Sequence, residues 1–153
     1  MIEPGQPAPD FVTRDHTGAT VRLSSLRGRR VILWFYPEAD TPGCTKEGCN
    51  FRTLKPRFDD KGVEILGISF DPVPKNAAFA QKFGFNFRLL SDTDQSIGRV
   101  YGAAWEGSAV RPRRVSYLIG KDGRVEKTYG FDKKMDAAAH PAEVLNDVAH
   151  SPR

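Results

Sequence analysis

Apolar residues along the chain form short continuous runs, and segments with helical spacing lie between them. Residues 31–36 (VILWFY) are rich in β-branched and aromatic side chains and are followed by Pro37, which predicts a buried β-strand. Residues 63–69 have the same character, shorter runs at 87–90 and 115–119 predict further strands, and residues 124–129 predict the antiparallel partner of the last of these. Lys121-Asp122-Gly123 lies between the last two runs and predicts a hairpin turn.

The intervening segments repeat their apolar residues every three or four positions, as amphipathic helices do. The longest is predicted to begin at Pro42 and to end near Asp60, before Gly62; its inward face contains Phe51, Leu54, Lys55 and Phe58. A second predicted helix covers residues 74–83 and is stopped by Gly84; its inward face contains Ala77, Ala78, Phe79 and Phe83. Residues 96–101 and 141–148 predict two shorter helices.

These elements predict the fold class. Residues 11–13 and 21–23 flank a turn with Asp15 and Gly18, which indicates a small N-terminal β-hairpin. Strands then alternate with helices, so we expect an α/β domain with a central mixed β-sheet flanked by helices on both faces. The 153 residues suffice for one full core and are too few for two ordinary domains, so residues 1–153 are interpreted as one domain.

Composition and charge exclude several classes of function. Hydrophobic residues make up 39% and charged residues 27%, as in ordinary soluble globular proteins. The net charge of +4 comes with basic clusters at residues 27–30 and 111–114, which are interpreted as basic turns before strands rather than a nucleic-acid-binding stripe. No apolar stretch approaches the ~20 residues of a membrane span, and the N-terminus does not resemble a secretion signal. We therefore expect a cytoplasmic protein that binds neither nucleic acid nor membrane.

Cys44 is the strongest candidate for a reactive residue. It follows the strand at residues 31–36 and a turn, and Thr41 and Pro42 have the residue types of a helix cap and a first helical position. The thiol is therefore expected in the first turn of a helix, where unpaired N–H groups and the helix dipole favour a thiolate. The three histidines are all distant in sequence, so any side-chain positive charge must come from a basic residue, for which Arg114 is a candidate.

Cys49, the only other cysteine, has three interpretations: a buried helix residue, a metal ligand with Cys44, or its disulfide partner. The five-residue spacing is unfavourable for metal binding. On an intact helix the two Cα atoms would lie ~8.6 Å apart, whereas a disulfide needs less than ~7 Å. A disulfide would therefore require the first turns to unwind, which Gly43 and Gly48 would make easier.

The motif Pro37-x-x-x-Thr41-x-x-Cys44 resembles the active-site motif of peroxiredoxins. The longer segment at residues 35–52 resembles the peroxiredoxin Q, or bacterioferritin comigratory protein, subfamily, and so do the segments at residues 5–11, 67–71, 89–92 and 114–119. This resemblance implies a thioredoxin-like fold and a thiol peroxidase. Gly48 departs from the subfamily, which usually has alanine there, and this change is expected only to loosen the helix.

The resemblance also implies a role for each matching residue. Cys44 would be the peroxidatic cysteine, shielded by Pro37, while Thr41 would hydrogen-bond the peroxide and Arg114 would hold the thiolate. Cys49 would be the resolving cysteine, and Glu47 matches a glutamate frequent near this site. The implied partners are a hydroperoxide substrate and thioredoxin or a similar dithiol. A monomer without metal or other cofactor is expected.

Two other functions fit the same residues less well. A disulfide oxidoreductase would normally have two residues between its cysteines, and here there are four. A non-enzymatic redox-sensing module would react with peroxide once and then stop. Sustained turnover with a reductant separates a peroxidase from a sensor.

Overall fold

A computed structural model gives the fold and describes residues 2–104, 111–131 and 134–150. Its strands are β1 (Val12–Asp15), β2 (Thr20–Arg22), β3 (Arg30–Phe35), β4 (Val63–Ser69), β5 (Arg88–Ser91), β6 (Ser116–Ile119) and β7 (Val125–Tyr129). Its helices are α1 (Pro42–Asp60), α2 (Val73–Phe83), α3 (Ser96–Val100) and α4 (His140–His150), and Leu23–Leu26 forms a short 3-10 turn. Each predicted element is present with its ends shifted by three residues or fewer.

The seven strands of the described residues form one mixed sheet in the order β2-β1-β5-β4-β3-β6-β7. Strands β3, β4 and β5 are parallel, whereas β6 runs antiparallel to β3 and pairs with β7. The hairpin β1–β2 extends the other edge through β5. The predicted α/β class with a mixed sheet is thus confirmed.

Side-chain alternation along β3 divides the core into two layers. Ile32 and Trp34 face the layer that contains α1, α2 and α4, while Val31, Leu33 and Phe35 face the layer with the N-terminal segment and α3. Every residue of β3 is buried because both faces of the sheet are covered. The carboxyl end of this central strand is therefore a rigid support for the loop that leads to Cys44.

The structure corrects three details of the predicted faces. On α2, Ala78 is exposed, and the buried positions are Asn76, Phe79 and Ala80, because they recur at the spacing of one helix face. On α1, Lys55 is half-buried at the edge of the inward face, and its Nζ turns to the exposed Asp59 at 2.8 Å. Arg30 is not part of an exposed basic turn: it is buried in β3 and forms an ion pair with Glu126 at 2.8 Å.

Helix α1 has an internal proline, Pro56. A proline has no N–H, so the carbonyl of Arg52 has no donor four residues on. The helix continues past Pro56 because Phe51, before the proline, and Phe58, after it, are both fully buried in the core and hold the two segments in place. The part of α1 that carries both cysteines thus precedes a local gap in the hydrogen-bond ladder.

Candidate active site

The loop between β3 and α1 is fixed by its neighbours. The N–H of Ala39 donates to Asp71 Oδ2 at 2.8 Å, and Asp71 follows the adjacent strand β4. Asp40 has a φ of 64°, a left-handed conformation uncommon for a residue with a side chain, and its carboxylate is 2.9 Å from Lys82. These contacts set the direction in which α1 begins.

Thr41 and Pro42 occupy the predicted positions, but the Thr41 hydroxyl does not cap the helix. Thr41 is the N-cap residue by its extended backbone, and its carbonyl accepts the first helical hydrogen bond from Thr45 at 2.8 Å. The hydroxyl instead donates to the carbonyl of Glu38 at 2.8 Å. The N–H groups of the first turn, including those of Gly43 and Cys44, therefore receive no cap from Thr41.

Cys44 lies in this first turn with its side chain fully buried and its thiol free. Arg114 Nη2 donates to Cys44 Sγ at 3.3 Å, and Arg114 Nη1 donates to Glu47 Oε1 at 2.6 Å. One guanidinium thus binds two acidic groups on the same helix. Burial opposes its charge, but Glu47 and Cys44 raise the pKa of Arg114, so the guanidinium stays charged.

The sheet register brings Arg114 to Cys44. Strand β6 is antiparallel to β3, with Ser116 opposite Trp34, and the N–H of Phe35 donates to the carbonyl of Val115 at 2.8 Å. The start of β6 therefore meets the carboxyl end of β3, from which the loop to Cys44 departs. Gly43 leaves room for the guanidinium, because a Cβ at Gly43 would lie 3.0 Å from Arg114 Nη2.

The neighbouring arginines point elsewhere. Arg111 Nη2 lies 2.9 Å from Glu38 Oε1, and the Arg113 guanidinium lies over the ring of Phe131 at 5.2 Å. Arg114 is thus the residue of this cluster that contacts the thiol.

Glu47 is fully buried next to the thiol. Its Oε2 has no hydrogen-bond partner among the described residues. Burial raises the pKa of this carboxyl to about 8, although Arg114 acts in the opposite direction. The sequence suggested Glu47 only through its resemblance to a family residue; its burial one turn after Cys44 and its pairing with Arg114 come from the structure.

Cys49 is half-buried and free, on a helix that is continuous from Pro42 to Asp60. Cys44 and Cys49 are therefore separated by more than one helical turn, as the sequence geometry predicts for the reduced form. Pro37 is half-buried directly after β3. The structure thus brings Cys44, Arg114 and Glu47 into contact, and it keeps Cys49 apart from them.

Two buried polar groups behind the site were not predicted from the sequence. The Tyr36 hydroxyl donates to Asn76 Oδ1 at 2.5 Å, and burial raises the pKa of Tyr36 well above its usual range. His140 Nε2 is 2.9 Å from Ser116 Oγ, and burial lowers the pKa of His140 to about 4, which keeps it neutral near pH 7. Neither hydrogen bond could be predicted from the sequence, because each joins residues at least 24 positions apart.

The described residues contain no cluster of three or more His, Cys, Asp or Glu side chains that could hold a metal ion. They also contain no helix that is both long and apolar enough to cross a membrane.

Comparisons with known proteins agree on one family. Residues 4–128 match the model of the AhpC/TSA family. A Coxiella burnetii chain that carries the name peroxiredoxin bcp is 38% identical over 149 residues, covering 94% of this chain and 97% of that one. The chloroplastic peroxiredoxin Q of Triticum aestivum is 35% identical and covers 96% of this chain, which spans 67% of that protein.

Solved structures give the same result for the fold. Peroxidoxin BcpB from Mycobacterium tuberculosis superposes with a TM-score of 0.90 at 33% identity, covering 98% of each chain. The bacterioferritin comigratory protein of Xanthomonas campestris, whose structures concern its reduction of alkyl peroxides, superposes with a TM-score of 0.88 at 29% identity, covering 99% of this chain and 100% of that one.

Proposed function

Since the chain belongs to the AhpC/TSA family, has the thioredoxin-like fold of peroxiredoxins and is a thiol-dependent peroxidase, we propose that Cys44 is its peroxidatic cysteine and Arg114 the residue that activates it. The observation that carries this proposal is the 3.3 Å contact from Arg114 Nη2 to the buried Cys44 Sγ at the start of α1. The family assignment favours a peroxidase over a disulfide oxidoreductase or a non-enzymatic sensor.

The first chemical step takes place at Cys44. Its thiolate attacks the terminal oxygen of a hydroperoxide, an S–O bond forms, and the O–O bond breaks. Water or an alcohol leaves after taking up a proton, and Cys44 becomes a sulfenic acid. Negative charge develops on the peroxide oxygens, where Arg114 and the first-turn N–H groups of α1 can donate.

Thr41 and Pro37 complete the proposed site. The Thr41 hydroxyl donates to the carbonyl of Glu38, so its oxygen remains able to accept a hydrogen bond from the peroxide O–H. Pro37 presents no N–H and is half-buried after β3, which suits a shielding role beside the thiolate.

Cys49 is the proposed resolving cysteine. Its thiol attacks the sulfenic sulfur of Cys44; an S–S bond forms, the S–O bond breaks, and the oxygen leaves as water with the thiol proton. This step requires α1 to unwind, because the helix seen here holds the cysteines too far apart. A dithiol then reduces the disulfide by exchange, and we propose thioredoxin or a similar dithiol protein in that role.

The proposal includes a monomer that works in the cytoplasm. Bacterial relatives support this compartment, whereas the plant relatives carry chloroplastic names. Hydrogen peroxide and organic hydroperoxides are both proposed as substrates, in line with the alkyl peroxide reduction described for the Xanthomonas campestris protein.

The test is steady-state peroxide consumption with thioredoxin, thioredoxin reductase and NADPH, comparing the parent with Cys44→Ser. We expect many turnovers for the parent and none above background for the variant, because no other described cysteine contacts Arg114. Turnover by Cys44→Ser at even a tenth of the parent rate would refute the assignment. A parent that consumes one equivalent of peroxide and then stops would contradict turnover with the proposed reductant and would favour the non-enzymatic sensor.

A further inference from the structure

The end of α2 contacts the cysteine-bearing region at three points. Lys82 Nζ lies 2.9 Å from the carboxylate of Asp40, which precedes Cys44 in the sequence. The carbonyl of Phe83 accepts a hydrogen bond of 2.5 Å from Arg52, which follows Cys49. Between them, the ring of Phe85 packs against Gly48. The Lys82 and Asp40 side chains are 58% and 46% exposed, so their ion pair contributes little. The Phe85 contact is the buried one.

The ring of Phe85 fills the space that a side chain at position 48 would need. A Cβ added to Gly48 would lie 2.5 Å from Phe85 Cζ, well inside the normal separation of two carbon atoms. The ring has little freedom to move, because it stacks on the ring of Phe87 and meets the ring of Phe79 edge-on. The ring centroids are 5.1 Å apart in the first pair and 4.8 Å apart in the second. Gly84, with a φ of 63°, makes the turn that directs Phe85 to this place.

Gly48 therefore does more than lower the stability of the helix: it also makes room for the ring of Phe85. Glycine destabilises a helix interior, and the sequence alone suggested that Gly48 only loosens α1. In the structure, its missing side chain lets an aromatic ring pack directly on the backbone next to Cys49. Unwinding this turn would remove Gly48 from the ring and expose apolar surface of Phe85, which opposes the movement.

We propose that Phe85 is a positioning residue for the resolving step: its ring holds the Gly48 turn helical and so sets the time that the Cys44 sulfenic acid persists before Cys49 reaches it. The inference rests on the proposed roles of Cys44 and Cys49. It concerns only the second step, since the ring of Phe85 packs on Gly48 and takes no part in the hydrogen bond between Arg114 and Cys44. A longer-lived sulfenic acid is also more open to attack by a second peroxide molecule.

The experiment follows disulfide formation after one equivalent of hydrogen peroxide. Samples are quenched by thiol alkylation at successive times, and mass spectrometry quantifies the Cys44–Cys49 linkage. We expect Phe85→Leu to form the disulfide roughly three to ten times faster than the parent, since neighbouring groups couple by this order of free energy. The rate of the first oxidation, measured in a Cys49→Ser background, should stay at the parent value.

Gly48→Ala gives the sharper test, because its effect should change sign with the residue at position 85. With Phe85 present, the new methyl group meets the ring and should accelerate disulfide formation. In the Phe85→Leu background there is room for the methyl group, and alanine favours the helix over glycine. There Gly48→Ala should slow the disulfide step.

Phe58→Leu is the matched control, since Phe58 is also a buried phenylalanine of the same core and lies on α1 away from the first turns. It should lower overall stability without changing the disulfide rate. Hydrogen exchange of residues 44–52 in the reduced proteins provides an independent measurement, and Phe85→Leu should exchange faster there.

Two results would overturn the inference: an unchanged disulfide rate in Phe85→Leu, or the same sign for Gly48→Ala in both backgrounds. A parent that consumes peroxide but forms no Cys44–Cys49 disulfide would refute the proposed resolving role of Cys49, and the role of Phe85 with it. The first two results would leave the peroxidase assignment intact.

Discussion

At the scale of single residues, the site has one guanidinium for two acidic groups. Arg114 donates to Cys44 Sγ and to Glu47 Oε1, and both acidic side chains are fully buried. Like charges in a shared buried site disfavour each other's ionisation. Burial raises the pKa of Glu47 to about 8, so this carboxyl is protonated in the folded protein near pH 7 and leaves the positive charge of Arg114 available to Cys44.

Replacing Arg114 with Ala should slow the oxidation of Cys44 by peroxide on the order of 10²–10³-fold, the usual effect of losing one such donor. The second-order rate constant of Cys44 oxidation is the quantity to measure. Arg113→Ala is the matched control, because its guanidinium lies over Phe131 instead of the thiol. A large effect of the control with none at Arg114 would show that the wrong arginine has been assigned.

Glu47→Gln should remove a loss of stability that the parent shows as the pH rises from about 4.5 to about 8. The folded-state pKa of Glu47 is raised to about 8 from an ordinary value of 4.5, first because of burial. Between those values the unfolded chain ionises this carboxyl and the folded protein does not. Stability therefore falls as pH rises through that window, by up to ~1.4 kcal/mol per pH unit.

The measurement for Glu47 is urea unfolding of the parent and of Glu47→Gln from pH 6.5 to pH 8. The variant should gain stability relative to the parent across this range, because glutamine cannot ionise. Parallel stability curves for the two proteins would mean that Glu47 is already ionised in the folded state at pH 6.5.

The residue types of the site could be predicted, but their contacts could not. Cys44, Thr41 and Arg114 belong to segments that resemble a known family, so their positions were predicted from the sequence. The environment of Glu47 and the space at Gly43 depend on where the guanidinium of Arg114 lies, and Arg114 comes 70 residues after Cys44. Local sequence has no signal for such a contact, and this is also why the Thr41 hydroxyl was expected to cap the helix.

At the scale of elements, the proposed mechanism makes α1 both the scaffold of the first step and the part that must rearrange in the second. The helix is regular from Pro42 in the structure, and its later half is held by Phe51 and Phe58. Its periodicity allowed its type and length to be predicted. Its internal Pro56 did not stop it, because tertiary packing outweighs the single hydrogen bond that proline removes.

Oxidation to the Cys44–Cys49 disulfide should speed amide exchange from Cys44 to Arg52 and leave β3 and β4 unchanged, because only the start of the helix has to unwind. Hydrogen exchange read by mass spectrometry on the reduced and oxidised proteins measures this directly. Cys49→Ser, treated identically, is the control and should show no such increase. A disulfide form whose helix remains regular through Cys49 would contradict the prediction.

At the scale of the whole molecule, His140 joins elements that are far apart in sequence. Its ring contacts Phe51 of α1 and Tyr129 of β7, and its nitrogens reach Ser116 of β6 and Glu143 of α4. The sequence predicted a mixed sheet but not the order of its strands, because such cross-links are set by long-range packing.

His140 should make the protein sensitive to acid. Its folded-state pKa is lowered to about 4, mainly by burial, from an ordinary value of 6.5. As pH falls below 6.5 the unfolded chain takes up a proton that the folded protein does not, so stability decreases toward pH 4. His140→Gln should lower stability at pH 7 and flatten this dependence, measured by urea unfolding between pH 4 and pH 7. If the variant's stability changes with pH as steeply as the parent's between pH 4 and pH 7, a group other than His140 causes the loss of stability in acid.

The burial of Trp34 has a consequence for how the reaction can be observed. The centroid of its indole lies 5.2 Å from the ring centroid of Phe51 and 4.6 Å from that of Tyr36. All three rings belong to the same apolar cluster as Cys44. The emission of a tryptophan depends on the polarity and mobility of its surroundings, and here those surroundings include the helix that is expected to unwind. With Trp105, the only other tryptophan, changed to Phe, the remaining fluorescence would be an intrinsic optical signal for each turnover of the enzyme.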